Sequence, residues 1–186
     1  GVSGQVSSFT NSGTIGDAAL KRTAVSLYGT GATTFTNSGT ILNDETRRSV
    51  NLSVTQGTIT ATNSGTIAQG LIASGNNYYY GSDTAVTPQP MTIALTNTGT
   101  IASTGAGRSA VVLQINDQRA LGGSIRFDNS GSVTQGVNAY VGSYRYSDTP
   151  VPDAPQASSI VVNNSGTLSA NLQGRSAALL TLDDAR

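Results

Sequence analysis

The sequence predicts an all-β protein, a right-handed parallel β-helix (a solenoid) of about six coils with loop insertions. Three observations lead to this prediction. A seven-residue motif centred on Asn-Ser-Gly recurs six times along the 186 residues. Apolar and polar residues alternate around each copy, as in strands with one buried face. No segment shows the 3.6-residue apolar stripe of an amphipathic helix.

The motif sets the length of the repeating unit. The string FTNSGTI occupies residues 9–15 and 35–41, and related strings occupy 61–67, 95–101, 127–133 and 162–168. The shared residues are Asn11, Asn37, Asn63, Asn97, Asn129 and Asn164, at spacings of 26, 26, 34, 32 and 35. Self-similarity at such a period is typical of repeat architectures. We therefore expect a 26-residue coil that carries extra residues in the last three intervals.

Each unit divides into three short strands. Positions two and four before the Asn are mostly apolar and their neighbours mostly polar, which predicts a strand. Asn-Ser-Gly predicts a sharp corner, because Asn and Gly accept the left-handed backbone conformation. An aliphatic residue four positions after the Asn predicts a short second strand. The segments 21–29, 47–55, 107–115 and 173–182 align as a third.

Such a unit cannot bury its apolar face alone. Parallel stacking solves this, because each inward residue then lies about 4.8 Å from its equivalent in the next coil. Parallel crossovers are usually right-handed. We expect columns of Ile, Phe and Val inside the stack, and a ladder in which each Asn side chain hydrogen-bonds to the equivalent Asn above and below.

Composition excludes several kinds of chemistry. The chain has no His and no Cys, which removes Ser-His-Asp and Cys-His catalysis, zinc sites and disulfides. Ten basic and ten acidic residues give zero net charge, which argues against nucleic acid or an anionic membrane as partner. No apolar stretch reaches the roughly 18 residues of a membrane-spanning helix. We expect no catalytic residue, no metal and no cofactor.

Insertions are expected at about 74–90, 114–123 and 138–158 in a single domain over 1–186. The first and third share a Tyr-x-Tyr pattern followed by Ser-Asp-Thr, and they hold all five prolines. They should project from one edge, two coils and roughly 9–10 Å apart. Tyrosine suits protein or sugar recognition. The predicted binding residues are Tyr78, Tyr80, Asp83, Tyr144, Arg145 and Tyr146, unless the tyrosines only pack on one another and on the flank of the helix.

Two other patterns allow a functional and a plain interpretation. Asp83 and Asp148 could form the carboxylate pair of an inverting glycosidase, or make local turn hydrogen bonds beside the prolines.

An Arg stands 11 residues after four of the Asn residues: Arg22, Arg48, Arg108 and Arg175. Ser74 and Tyr140 take that position in the coils with Tyr-rich loops. The arginines could form a basic stripe for an acidic partner, or a solvated corner neutralised by nearby carboxylates.

The repeated Asn-Ser-Gly-Thr-Ile corners with aliphatic columns resemble the passenger domains of bacterial autotransporters and related β-helical surface adhesins. The resemblance runs from about Phe9 to Leu168. It implies a secreted or surface-exposed protein of a Gram-negative bacterium that acts in adhesion or aggregation, with this sequence a fragment held at the outer membrane through another part. A surface glycan or protein would bind the Tyr-rich loops. Alternatives are a surface-layer or filament subunit that associates end to end or laterally, and a polysaccharide-processing tail-spike or lyase.

Overall fold

A computed structural model gives the architecture of the chain. It describes residues 2–19, 21–77, 89–105, 107–119, 121–144, 156–170 and 176–185, and only the backbone of 2–6, 144, 184 and 185. These residues form strands, turns and loops, with no helix among them. No helix that could cross a membrane occurs in this part of the chain.

The strands follow the predicted order within each coil. They are β1 (Val2–Asn11), β2 (Thr14–Ile15), β3 (Val25–Asn37), β4 (Thr40–Ile41), β5 (Val50–Thr55), β6 (Thr58–Asn63), β7 (Thr66–Ile67), β8 (Leu71–Asn77), β9 (Met91–Asn97), β10 (Thr100–Ile101), β11 (Val111–Asp117), β12 (Gly123–Asn129), β13 (Ser132–Thr134), β14 (Val137–Tyr144), β15 (Ser159–Asn164), β16 (Thr167–Ser169) and β17 (Ala178–Ala185). The four predicted third strands, β3, β5, β11 and β17, begin three to five residues later than predicted. Arg22, Arg48 and Arg108 lie in the loops before the first three.

The strands stack into three parallel faces. Face 1 holds the strands that end at the repeated Asn: β15, β12, β9, β6, the second half of β3, and β1. Face 2 is the six-stranded sheet of short strands, β16, β13, β10, β7, β4 and β2. Face 3 runs from the first half of β3 through β5, β8, β11 and β14 to β17. All the pairings are parallel, so the fold is the predicted parallel β-helix.

The core consists of the predicted columns. One column on face 1 stacks Phe35, Ala61, Leu95 and Phe127, and a column on face 2 stacks Ile41, Ile67, Ile101 and Val133, all buried. Phe9 stacks on Phe35 with ring centroids 5.9 Å apart. In the last coil, Leu180 and Leu182 pair with inward residues of β14 yet are 47% and 51% exposed, because no described strand pairs with β17 on its other side.

The predicted Asn ladder runs unbroken through all six coils. Each Nδ2 donates to the Oδ1 of the next Asn, from Asn11 to Asn164, at distances of 2.8, 2.8, 2.8, 2.7 and 2.7 Å. Each amide also donates to the carbonyl oxygen two residues later, for example Asn63 to Gly65 at 3.2 Å. Asn37, Asn63 and Asn97 are completely buried. The ladder therefore satisfies polar groups that would be costly to bury unpaired.

The physical reason for glycine at each corner differs from the one predicted. The corner glycines do not adopt the left-handed conformation, which occurs instead at positions such as Gln56 and Gly57 (φ 71° and 98°). A Cβ at Gly39, Gly65, Gly99, Gly131 or Gly166 would overlap the carbonyl oxygen of the equivalent glycine in the preceding coil. Glycine is thus required because the coils approach closely at this corner, not because of its backbone torsion.

Candidate functional site

The three insertions leave the stack at one corner, between face 3 and face 1. They follow β8, β11 and β14, whose C-terminal ends are in register: Asn77 pairs with Asp117, and Asp117 with Ser143. The strands run further than predicted, so residues 74–77, 114–117 and 138–143 are strand rather than insert. We call this corner the insert edge. The bases of the two Tyr-rich insertions are two coils apart on it, as expected.

Asp117 accepts several hydrogen bonds at the base of the insert edge. Its side chain is completely buried, and its Oδ1 accepts a hydrogen bond from Asn77 Nδ2 at 3.2 Å. Its carboxylate also accepts from the backbone N–H groups of Arg119 and Gly122, both at 3.0 Å. Beside this contact, Asn116 Nδ2 donates to Asn76 Oδ1 at 2.9 Å. The carboxylate therefore closes the short insertion of its own coil and ties it to the strand beneath the first Tyr-rich insertion.

The predicted binding residues lie almost wholly beyond this base. Tyr78, Tyr80, Asp83, Arg145 and Tyr146 are outside the described residues, as is Asp148. Tyr144 ends β14, where only its backbone is described. The binding set and the carboxylate pair stay predictions.

Asp117, Asn77 and Ser143 were not among the predicted functional residues. The signal was present in β11, where alternate residues Val111, Leu113 and Ile115 point into the core and Asp117 continues the same parity. Ser143 continues the inward parity of β14 in the same way and is also buried. A polar residue that continues an inward column indicates a buried polar contact.

A second feature lies at the other end of face 3. The connections from face 2 to face 3 are long in the second and fourth coils (residues 42–49 and 102–110), but the third coil has only residues 68–70. Counting from the Asn therefore misplaced Ser74 and Tyr140: both lie in face 3 strands, in register with Gln114. The short third-coil turn bonds to both longer loops, because Gln69 N donates to Ser49 Oγ (3.0 Å) and Gln69 Nε2 to Thr104 Oγ1 (2.9 Å).

Two arginines link these loops reciprocally across the third coil. Arg48 Nη1 donates to the carbonyl oxygen of Ser109 at 2.7 Å, and Arg108 Nη2 donates to that of Thr46 at 2.6 Å. Arg108 Nη1 also reaches the Glu45 carbonyl at 3.4 Å. Burial, and secondarily repulsion from Arg108, lower the pKa of Arg48. We call this pair the arginine clasp.

Comparison with known proteins adds no identification. No protein-family profile, curated protein or solved structure matches the chain. Within the described ranges, no three His, Cys, Asp or Glu residues cluster as metal ligands would. The candidate sites are therefore the insert edge and the arginine clasp, both defined by the chain's own geometry.

Proposed function

We propose that the chain is a non-enzymatic, stiff β-helical segment of a secreted or surface-exposed bacterial protein, of the autotransporter passenger type, that presents its Tyr-rich insertions for adhesion. The observation that carries this proposal is the contrast between the unbroken Asn ladder on one corner and the three insertions gathered on another. A repeat scaffold commonly carries binding function in insertions on one face.

The strands at the base of the insertions connect the stiff scaffold to the segments that it presents. The strands from which the insertions leave belong to a continuously paired sheet, with about 4.8 Å between coils. Asp117 and Asn77 add a side-chain link between neighbouring coils at that base. Two Tyr-rich segments held at a defined separation offer a partner two simultaneous contacts, which raises affinity without any new type of interaction. The ligand classes that fit tyrosine are a surface glycan or a protein.

The test replaces Tyr78, Tyr80, Tyr144 and Tyr146 by Ser and measures adhesion of cells or beads that display the chain. We expect adhesion to be lost while circular dichroism and the melting temperature stay unchanged. Tyr28→Ser is the matched control, because Tyr28 lies on face 3 in the first coil and is 46% exposed. Equal adhesion of the fourfold variant and the control would remove the insertions from the functional account.

End-to-end stacking into a filament is a second candidate function. It is favoured by the common direction of the backbone hydrogen bonds between successive Asn-Ser-Gly corners. Backbone N–H groups of each corner donate to carbonyls of the preceding coil, as in Ser38 N to Asn11 O (2.8 Å). Among the described residues the first coil thus presents donors and the last coil acceptors. The side-chain hydrogen bonds of the Asn ladder run in the opposite direction, so the first coil presents an acceptor, Asn11 Oδ1, and the last coil a donor, Asn164 Nδ2. Two copies therefore match head to tail and not tail to tail.

The filament hypothesis has a test of its own. Leu182→Arg places a charge on β17, the last described strand of face 3, whereas Val161→Arg places one on the outside of face 1, where Val161 is 43% exposed. Light scattering should show concentration-dependent assembly that Leu182→Arg abolishes and Val161→Arg leaves intact. Assembly lost only in Val161→Arg would indicate lateral contacts, and a monomer at all concentrations would exclude this function.

A further inference from the structure

The arginine clasp borders a surface groove with a strongly basic lining. The groove has a volume of about 230 Å³, and its lining residues are Thr23, Thr46, Arg47, Arg48, Asn51, Ile72 and Arg108. It lies where the chain enters face 3, whereas the insertions lie where the chain leaves that face. The groove is therefore a separate surface from the insert edge.

The positive charge of this groove is not neutralised by close ion pairs. The three hydrogen bonds of the clasp go to backbone carbonyls, which are neutral acceptors. In the described part of the chain, the one ion pair within 4.0 Å is Arg126–Asp128 on face 1. Asp44 and Glu45 lie in the same loop as Arg47 and Arg48, and the Asp44 carboxylate accepts hydrogen bonds from Thr46 N and Oγ1 (2.9 and 2.6 Å).

Guanidinium groups held in this way are suited to an oxyanion. Each has five N–H donors in a planar fork that matches a carboxylate or sulfate group. The clasp occupies only one nitrogen of Arg48, and two of Arg108, with described acceptors. Burial is the larger cause of the lowered pKa of Arg48, and repulsion between Arg48 and Arg108 is the second. An anion between them would relieve that repulsion.

We propose that this groove binds an oxyanion, a sulfate or carboxylate group, carried by an acidic polysaccharide. The hydroxyl and amide groups of Thr23, Thr46 and Asn51 suit the hydroxyls of a sugar. The described lining residues include no aromatic ring on which a nucleic acid base could stack. The zero net charge of the chain would also leave a long nucleic acid backbone without an extended basic track. A free inorganic anion shares the same chemistry, and the test separates the two sources.

Three Arg→Gln variants distinguish the loss of positive charge in the groove from a loss of protein stability. Arg47 lines the groove, is exposed, and its side chain makes no hydrogen bond or ion pair with the described residues. Arg47→Gln therefore removes one charge without loosening the loops. Arg108→Gln removes a charge together with half of the clasp. Arg126→Gln is the matched control for net charge, because Arg126 lies on the outside of face 1.

Isothermal titration calorimetry with a heparin-derived oligosaccharide, and separately with sodium sulfate at constant ionic strength, tests the proposal. We expect saturable binding that weakens about tenfold or more in Arg47→Gln and in Arg108→Gln and stays within about twofold in Arg126→Gln. Affinity should also fall as NaCl rises, since the site is at the surface. Saturation by the oligosaccharide alone would assign the anion to a polysaccharide; equal binding of sulfate would assign it to a free oxyanion.

Three results would overturn the inference. The first is no saturable binding of either probe to the wild-type chain. The second is equal weakening in Arg126→Gln, which would indicate a diffuse charge effect rather than a groove. The third is tighter binding of a single-stranded oligonucleotide than of the sulfated oligosaccharide, which would contradict the assignment of the ligand class. If Arg108→Gln fails to fold, the comparison of Arg47→Gln with Arg126→Gln still decides the outcome.

Discussion

Replacing Asn97 by Ala interrupts the Asn ladder at its centre. Asn97 Oδ1 accepts from Asn63 Nδ2 at 2.8 Å, and Asn97 Nδ2 donates to Asn129 Oδ1 at 2.7 Å. The substitution removes both ladder bonds, together with the bond that Asn97 Nδ2 donates to the Gly99 carbonyl at 3.2 Å. Asn63 Nδ2 keeps the carbonyls of Gly65 and Thr100 as acceptors (3.2 and 3.3 Å), whereas Asn129 Oδ1 has no other donor among the described residues.

The expected loss follows from these contacts. Three hydrogen bonds contribute about 1 kcal/mol each, and one orphaned buried acceptor costs about another 1 kcal/mol, so the free energy of unfolding should fall by about 4 kcal/mol. Urea denaturation followed by circular dichroism measures this value. Thr98→Ala is the control, because Thr98 is the exposed neighbour at the same corner and should change stability by less than about 0.5 kcal/mol.

Asn97→Asp adds a pH-dependent test of the same geometry. A carboxylate can still accept from Asn63, but its second oxygen faces Asn129 Oδ1 and the carbonyls of Gly99 and Ser132. Burial and these acceptors should raise the pKa of the introduced carboxyl in the folded state above its unfolded value. A raised folded-state pKa means that stability is lost as pH rises through it. Relative to wild type, the variant should therefore be less stable at neutral than at acidic pH.

The ladder would lose its assigned role if Asn97→Ala matched Thr98→Ala in stability. An Asn97→Asp variant with the same pH profile as the wild type would contradict the acceptor geometry independently. Either result would mean that the Asn residues are placed by the corner without stabilising the stack.

Three further predictions concern the corner, the core and face 1. Gly65→Ala should destabilise strongly or prevent folding, because its Cβ would overlap backbone of the preceding coil, whereas Gly13→Ala, with nothing within 4 Å, should be tolerated in thermal melts. Phe127→Ala should cost about 3–5 kcal/mol in urea unfolding, since the ring is completely buried. The hydrogen bonds that Arg126 donates lower the pKa of Asp128, so its small stabilising effect should be present above the ordinary carboxyl pKa and disappear as pH falls through the lowered one; a carboxyl NMR titration should show that pKa rising in Arg126→Gln.

The repeat made the fold readable from the sequence. Identical motifs at regular spacing predicted the columns and the Asn ladder, because stacking places each residue on its equivalent. The reason for the corner glycine was wrong, since close approach between coils is invisible until the coils are stacked. Counting from the Asn misplaced Ser74 and Tyr140, because the third and fifth coils lack the longer loop before face 3.

The candidate sites were predictable only in part. The shared Tyr-x-Tyr pattern located the insertions, and strand parity could have identified Asp117 as buried. The arginine clasp could not be predicted in this way, because Arg48 and Ser109 are 61 residues apart and meet only where a short coil separates two longer ones. Sequence spacing also does not reveal which arginines lack a carboxylate partner.

The in-register stack underlies every site in this account, and one distance tests it. Thr10 and Asn163 lie in the same outward column of face 1, five coil steps apart through Thr36, Thr62, Thr96 and Asp128. The chain has no Cys, so Thr10→Cys/Asn163→Cys accepts two spin labels without other changes. Double electron–electron resonance should give a narrow distribution near 24 Å, from five steps of about 4.8 Å. A broad distribution, or one centred far from this distance, would contradict the continuous parallel stack.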